Sequence, residues 1–133
     1  MGKSIEELLE TEYWVIDILP SQVPKDSPGQ YFAIERYFLR EERMAAIKQK
    51  HINIVLKLNC YRDISLDEEN EINPSPEHVA EEMKSRFVNI LTGEAVIQSE
   101  RDDTCLTVYN PDHELLKMLK EIASSEGLFL WKP

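Results

Sequence analysis

Three arginines stand at helical spacing in a chain that is otherwise strongly acidic. Arg36, Arg40 and Arg43 are four and three residues apart, whereas the 133 residues carry a formal net charge of −10. On a helix this spacing puts the three guanidinium groups on one stripe, where each close pair of like charges costs about 0.2–0.5 kcal/mol. A guanidinium group binds carboxylates through paired N–H donors. We therefore predict that this arginine stripe is an interaction surface that contacts carboxylates.

Many carboxylates follow the arginine stripe, between residues 63 and 82. This acidic segment contains no lysine or arginine, and its acids are Asp63, Asp67, Glu68, Glu69, Glu71, Glu77, Glu81 and Glu82. The two segments can pair within one fold, or the stripe of one protomer can meet the acidic segment of another. A third interpretation is that the arginines form a solvated face. The net charge favours a protein partner or a homodimer over nucleic acid, because phosphates would be repelled.

A second candidate site precedes the arginine stripe, at the start of the same predicted helix. The stretch Ser27–Gln30 is typical of a helix start, with Lys25 just before it and no acid in its first turn. Free backbone N–H groups beside an ammonium group suit a small anion such as a carboxylate or phosphate. Ordinary helix capping explains the same residues, and Asp26 opposes an anion. The predicted ligand-binding residues are Trp14, Lys25, Ser27, Gly29 and Gln30.

Neither a metal site nor a catalytic constellation is predicted. His78 and Glu82 are four residues apart, a spacing at which two side chains can share a metal ion, but no third ligand accompanies them. The serines lie outside any GxSxG motif, and the sequence has neither a phosphate-binding Walker motif nor a dinucleotide-binding glycine motif. We accordingly expect no catalytic residues, no metal and no cofactor.

Length and composition indicate a single globular domain that does not span a membrane. The length fits one domain over residues 1–133, and a chain with 42% hydrophobic and 30% charged residues is typically globular. No apolar run reaches the ~20 residues of a membrane span or resembles a signal peptide. Cys60 and Cys105 lie outside any CxxC motif, so we expect two buried, reduced thiols. These observations favour a cytoplasmic protein that does not bind membranes.

Four helix starts are recognisable from their capping residues and from the prolines or acids that follow them. The first helix is predicted over residues 5–10, and the third carries apolar residues at helical spacing from Val79 to Ile90. The fourth helix is predicted to end before Gly127. The four predicted N-caps are Ser4, Ser27, Ser75 and Asn110.

The second helix can be one helix or two. If residues 28–50 form a continuous helix, Glu41 falls inside an arc of apolar side chains, where it needs an arginine partner or a raised pKa. A break between Leu39 and Glu41 would instead bring Glu41 to the surface. We favour the break, because Phe32, Leu39 and Ala46 form a second apolar group that fits one continuous helix poorly.

Strands are predicted between these helices. Residues 52–60 alternate, and the face that is predicted to line the core consists of Ile52, Ile54, Leu56 and Leu58. The other predicted strands are residues 11–19, 94–100, 104–109 and 127–131. From residue 52 onward the order is βαββαβ, as in ferredoxin-like folds. We therefore predict an α+β protein with a mixed, mostly antiparallel five-stranded sheet, helices on one face and a leading βα unit.

Two functions are compatible with these patterns. The first is a non-enzymatic interaction or regulatory module that binds a protein partner or its own copy through charged faces. The second is a small enzyme or binding domain for an anionic small molecule, with its site near Trp14, residues 20–30 and the start of the second helix. A thermal-shift screen against anionic metabolites separates the two.

Overall fold

The computed structural model describes residues 4–67 and 70–133, and these form an α+β fold. The helices are α1 (Ile5–Leu8), α2 (Tyr31–Phe38), α3 (Glu41–Asn59), α4 (Pro76–Ser85) and α5 (His113–Ser125). The strands are β1 (Tyr13–Asp17), β2 (Ser65–Leu66), β3 (Val88–Thr92), β4 (Ala95–Ser99), β5 (Leu106–Tyr109) and β6 (Phe129–Trp131). Within the described ranges, no helix is long and apolar enough to cross a bilayer.

All the described strands belong to one sheet, in the order β2-β3-β4-β5-β1-β6, and every neighbouring pair is antiparallel. Ile16 opposes Leu106 across β1 and β5, and Ile90 opposes Ile97 across β3 and β4. Opposed residues share a face of the sheet, so these four side chains enter the core as cross-strand pairs. The predicted α+β class is confirmed, with six strands in place of the expected five.

The strand predicted over residues 52–60 is wrong, because this segment is the second half of α3. Its buried residues recur every three or four positions from Met44 to Leu58, and α3 packs against α4 and α5. Ile52 and Ile54 are fully buried as expected, whereas Leu56 is only partly buried. Burial of one helical face outweighs the helix cost of β-branched residues, which is about 0.5 kcal/mol each. The βαββαβ order predicted from residue 52 onward is therefore not confirmed.

The break favoured between Leu39 and Glu41 is confirmed. α2 ends at Phe38, and Arg40 is extended with φ −64° and ψ 142° before α3 begins. Glu41 is exposed in the first turn of α3, where its negative charge complements the positive end of the helix dipole. Glu41 therefore requires no buried partner.

Two of the four predicted helix caps are correct. Ser4 and Ser75 cap α1 and α4 through hydrogen bonds that their hydroxyl groups accept from backbone N–H groups. The N-cap of α2 is Gln30 rather than Ser27, and that of α5 is Asp112 rather than Asn110. The Asp112 carboxylate accepts from the backbone N–H of Leu115 at 2.7 Å, whereas Gln30 makes no side-chain cap. The starts of α2 and α5 therefore lie two or three residues beyond the predicted positions.

The third predicted helix ends earlier than its apolar pattern suggested. α4 stops at Ser85, and Arg86 is extended with φ −155° and ψ 172°. β3 follows with alternating buried side chains, and Thr92 pairs with Ala95 of β4 across a two-residue hairpin. Gly93 has φ +56°, a conformation that favours glycine in such turns. The residues up to Ile90 are thus divided between a helix and a strand.

We predicted helices on one face of the sheet, but helices lie on both faces. The main core joins α3, α4 and α5 to one face, on which Ile97 of β4 is fully buried. Its neighbour Val96 must point to the opposite face and is fully buried as well. Leu8 of α1 is buried too, and α1 contacts β4. We conclude that α1 covers part of the second face.

Candidate functional site

α2 has apolar side chains along its length, yet none of its residues is buried. Phe32 is 73% exposed and Ile34 is 46% exposed. Amphipathic helices normally bury their apolar side, and an isolated helix of this length is marginal in water. We use the name α2 surface for the exposed aromatic, aliphatic and arginine side chains of this segment, which are Tyr31, Phe32, Ile34, Arg36, Tyr37, Leu39, Arg40 and Arg43.

Two arginines of the α2 surface stack on one aromatic ring. The Cζ atoms of Arg40 and Arg43 lie 5.4 and 4.3 Å from the centre of the Tyr37 ring, which is within cation–π distance. Tyr37 in turn meets Phe38 edge to face, with ring centres 5.4 Å apart. A guanidinium group stacked in this way still presents the N–H donors at its edge. Two of the three arginines of the predicted stripe, Arg40 and Arg43, are therefore positioned by an aromatic ring, beside apolar side chains.

The arginine stripe does not pair with the acidic segment in the part of the chain that the structure describes. Asp67 and Glu82 instead bind Arg86, at N···O distances of 2.5 and 3.3 Å. Glu68 and Glu69 of the predicted acidic segment lie outside the described residues. The three arginines form no ion pair with any described side chain. Among the described residues, the arginine stripe and the acidic segment therefore do not form the ion pairs that pairing within one fold requires.

Four of the five predicted ligand-binding residues line one cleft. Lys25, Ser27, Gly29 and Gln30 border a space of about 390 Å³ around the start of α2. The Gly29 N–H donates to the Ser27 hydroxyl at 3.4 Å, so the serine closes a local turn instead of capping the helix. Trp14 lies apart from these four, in β1, where it packs against the core. The cleft brings the predicted anion-binding residues together but leaves out the aromatic one.

A small cavity connects α2 with the end of β1. Its volume is about 120 Å³, and Tyr31 and Glu35 of α2 line it together with Asp17 and Cys105. The Tyr31 hydroxyl donates to Glu35 at 2.9 Å, and this bond is the main reason that the Tyr31 pKa rises to about 12. Burial raises the pKa of Asp17, against the lowering effect of a hydrogen bond with Cys105. The cavity is small, and apolar side chains such as Ile18 and Ile34 line it beside the polar ones.

The two cysteines are free, but they are not both buried as predicted. Cys60 is exposed at the end of α3, and Cys105 is partly buried before β5. Burial, followed by the charges of Asp17 and Asp103, raises the pKa of the Cys105 thiol to about 12. Because the thiolate is the reactive form of cysteine, Cys105 is a poor nucleophile at neutral pH.

α3 buries two basic side chains one turn apart. The Lys48 ammonium group donates to the Ser99 hydroxyl at 3.0 Å and to the Glu100 carbonyl oxygen at 2.6 Å. Burial lowers the pKa of Lys48, and acids after β4 partly offset this effect. Burial and then the charge of Lys48 lower the pKa of His51 to about 3. By geometry, neither ring nitrogen of His51 has a hydrogen-bond partner among the described residues, although the Thr104 backbone lies close enough to oppose this shift.

Sequence reasoning identified the arginines of the α2 surface and the second apolar group that contains Phe32 and Leu39, but it did not predict that these apolar side chains are exposed. Phe32 and Leu39 lie on one side of a helix, and Ile34 and Tyr37 lie on another, at about 100° per residue. Two apolar sides on so short a helix are the signal that was available, because one neighbouring element cannot cover both. Lys48 was also missed, since a lysine in a helix gives no local sign of burial.

No group of three His, Cys, Asp or Glu side chains is placed to hold a metal ion within residues 4–67 and 70–133. Glu82, considered above as half of a metal-binding pair with His78, contacts Arg86. Among known proteins, no family model, no curated sequence and no solved structure matches the chain. We therefore infer function from the geometry of the α2 surface.

Proposed function

We propose that this chain is a protein-interaction module, and that the α2 surface binds an acidic, apolar-rich segment of another protein. The observation that carries the proposal is α2 itself, a helix that contributes no side chain to the core. Full burial of a side chain such as Phe32 or Ile34 contributes about 1.5–3 kcal/mol. A partner that covers α2 therefore gains apolar contact that the described residues do not supply to this helix.

The arginines define the chemistry of the partner. Arg40 and Arg43 are stacked over Tyr37, so they lose less conformational freedom when they bind a carboxylate. Neither forms an ion pair with a described residue. A basic patch on a chain with a net charge of −10 attracts acids locally and helps to orient the incoming segment.

A second copy of the chain fits the α2 surface less well. In a two-fold symmetric contact the same patch meets itself, which would bring two sets of arginines together. A head-to-tail contact with an acidic surface elsewhere avoids that repulsion, but it need not close and can continue as an open chain. We therefore propose a different protein as the occupant, and self-association is the contrary outcome of the test.

Fluorescence anisotropy with a labelled synthetic peptide tests the proposal. The probe alternates glutamate with leucine and phenylalanine, and a control peptide has lysine in place of every glutamate. We expect saturable binding of the acidic peptide that weakens as salt rises, because exposed charges are screened over about 10 Å at 0.1 M salt. Equal binding of the basic peptide would show that charge complementarity is absent.

Two charge-reversal variants locate the binding surface. The first changes the three arginines of the stripe to glutamate, and the second makes the same change at three exposed lysines, Lys84, Lys117 and Lys120. We expect the first to weaken peptide binding by at least about tenfold and the second to leave it nearly unchanged. Equal losses would contradict a site at α2. A wild-type dimer that dissociates in high salt, and is missing in the arginine variant, would assign the surface to a second copy.

A small-anion site in the cleft beside α2 is the second candidate. It is favoured by the single space that Lys25, Ser27, Gly29 and Gln30 share. A thermal-shift screen against phosphate and citrate tests it, with Lys25→Met expected to remove any stabilisation. A shift that Lys25→Met leaves unchanged would contradict this site.

A further inference from the structure

A larger cavity lies where the junction of α2 and α3 meets the end of α4 and the turn after β4. Its volume is about 420 Å³, within the range of roughly 300–1,000 Å³ that small-molecule sites occupy. One part of its wall is apolar and consists of Leu39, Met44 and Ala45. Another part is cationic and consists of Lys48, Lys84 and Arg101. The wall therefore suits a ligand with an apolar body and a charged end.

Lys48 decides the sign of that charge. It is only 5% exposed, and its ammonium group donates to two neutral oxygens, those of the Ser99 hydroxyl and the Glu100 carbonyl. An ammonium group has a third N–H, which finds no acceptor among the described residues. No carboxylate of the described chain lies within ion-pair distance of it. The charges of Asp103, Asp102 and Glu100 act on the ammonium group without direct contact and offset only part of its burial. A buried cation that lacks a contacting counter-ion is costly, so an anion in direct contact would be favourable.

The remaining charges of the cavity are weaker determinants. Glu41 and Asp102 also line it, and together they reduce the positive charge of the wall. Both are exposed, as are Lys84 and Arg101, so water and salt screen their effect on a ligand. Lys48 is the charged lining residue that is shielded from water, and its influence is screened least.

We propose that this cavity binds a small amphipathic carboxylic acid in its ionised form. The carboxylate accepts a hydrogen bond from Lys48, and the hydrocarbon part packs against Leu39, Met44 and Ala45. The site shares Leu39 with the α2 surface, but Met44, Ala45 and Lys48 lie outside that surface, so binding of a small acid does not require a partner protein.

Isothermal titration calorimetry with three probes tests the ligand class. Octanoate has both the carboxylate and the chain, acetate lacks the chain, and octanamide lacks the charge. We expect saturable binding of octanoate and binding at least about tenfold weaker for each of the other two. Octanamide binding as tightly as octanoate would overturn the role of the buried ammonium group. An absence of saturable heat with octanoate would overturn the proposal as a whole.

Two matched pairs of variants locate the site. Ala45 and Ala46 are adjacent and exposed, but only Ala45 lines the cavity. We expect Ala45→Phe to fill the cavity and weaken octanoate binding at least about tenfold, and Ala46→Phe to leave it unchanged. Lys48→Met should have the same effect as Ala45→Phe, while the exposed Lys120→Met should have none. If Lys48→Met does not fold, the alanine pair still decides, because equal affinities in both alanine variants would place octanoate elsewhere.

Discussion

α2 and α3 are separated by two residues, yet their apolar side chains have opposite surroundings. α3 buries side chains along its whole length against α4, α5 and the sheet, whereas α2 buries none. Both segments carry an amphipathic pattern, so the pattern itself does not determine burial. The difference teaches that an amphipathic pattern identifies an apolar face that is more stable when it is buried. The surface that buries this face can belong to the same chain or to another molecule.

The largest expected difference between the two helices is in the cost of removing an isoleucine. Ile54 is fully buried in α3, so Ile54→Ala should lower the free energy of unfolding by about 2–5 kcal/mol. Ile34 is exposed in α2, so Ile34→Ala should change it by less than about 0.5 kcal/mol. Urea unfolding followed by circular dichroism measures both variants. Similar losses would show that α2 is packed in solution and that the comparison between the helices is wrong.

The buried histidine of α3 should make stability depend on pH. Because the pKa of His51 is lowered to about 3 in the folded chain, the unfolded chain binds a proton first as pH falls. At pH values well above the ordinary histidine pKa of about 6.5, His51 makes a constant contribution to the free energy of unfolding. Below that pH, the free energy of unfolding falls by up to about 1.4 kcal/mol per pH unit. The fall ends near pH 3, where the folded form also takes up the proton.

His51→Leu isolates this effect, because leucine has no charge to bury. Unfolding free energies measured from pH 7 to pH 4 should fall less steeply for His51→Leu than for the wild type. His113→Gln, on the exposed start of α5, is the control and should leave the wild-type slope unchanged. Parallel pH profiles for all three proteins would mean that His51 is accessible to protons in the native state.

The smallest expected difference is in the stability cost of removing the N-cap side chains of α5 and α2, the two helices whose starts were predicted at the wrong residues. Asp112 caps α5 and also binds Arg62 through two N–H···O contacts, at 2.9 and 3.0 Å. Asp112→Ala should therefore cost about 0.5–2 kcal/mol in urea unfolding, the usual range for loss of a cap. Gln30→Ala should cost almost nothing, because Gln30 makes no capping bond. A larger loss for Gln30→Ala would imply a capped and more stable α2.

Sequence patterns predicted those parts of the fold that depend on local chemistry. The caps at Ser4 and Ser75 were found because a capping hydroxyl bonds to an N–H only three residues away. Residues 52–59 were misassigned because Ile54 and Leu58 are four residues apart, a spacing that fits both an alternating strand and one face of a helix. The choice depends on packing against α4 and α5, which lie far away in the sequence.

The site was predictable to a similar, limited extent. The spacing of the arginines was visible, but their stacking on Tyr37 depends on the break before α3. The two apolar sides of α2 indicated that one neighbouring element cannot cover both, but the 73% exposure of Phe32 depends on which described elements pack nearby. The turn at Gly93, outside the site, could also have been predicted from the sequence, because a glycine between two alternating apolar runs favours a tight turn over a helix.

The sheet ends in very short edge strands, with two residues in β2 and three in β6. An edge of this length exposes few backbone N–H and C=O groups, which is too few for an extended peptide to add as a further strand. The same feature protects the protein from edge-to-edge growth into fibrils at high concentration. Under the proposed function, a partner would therefore contact side chains on helices, and it could be exchanged without opening the backbone ladder of the sheet.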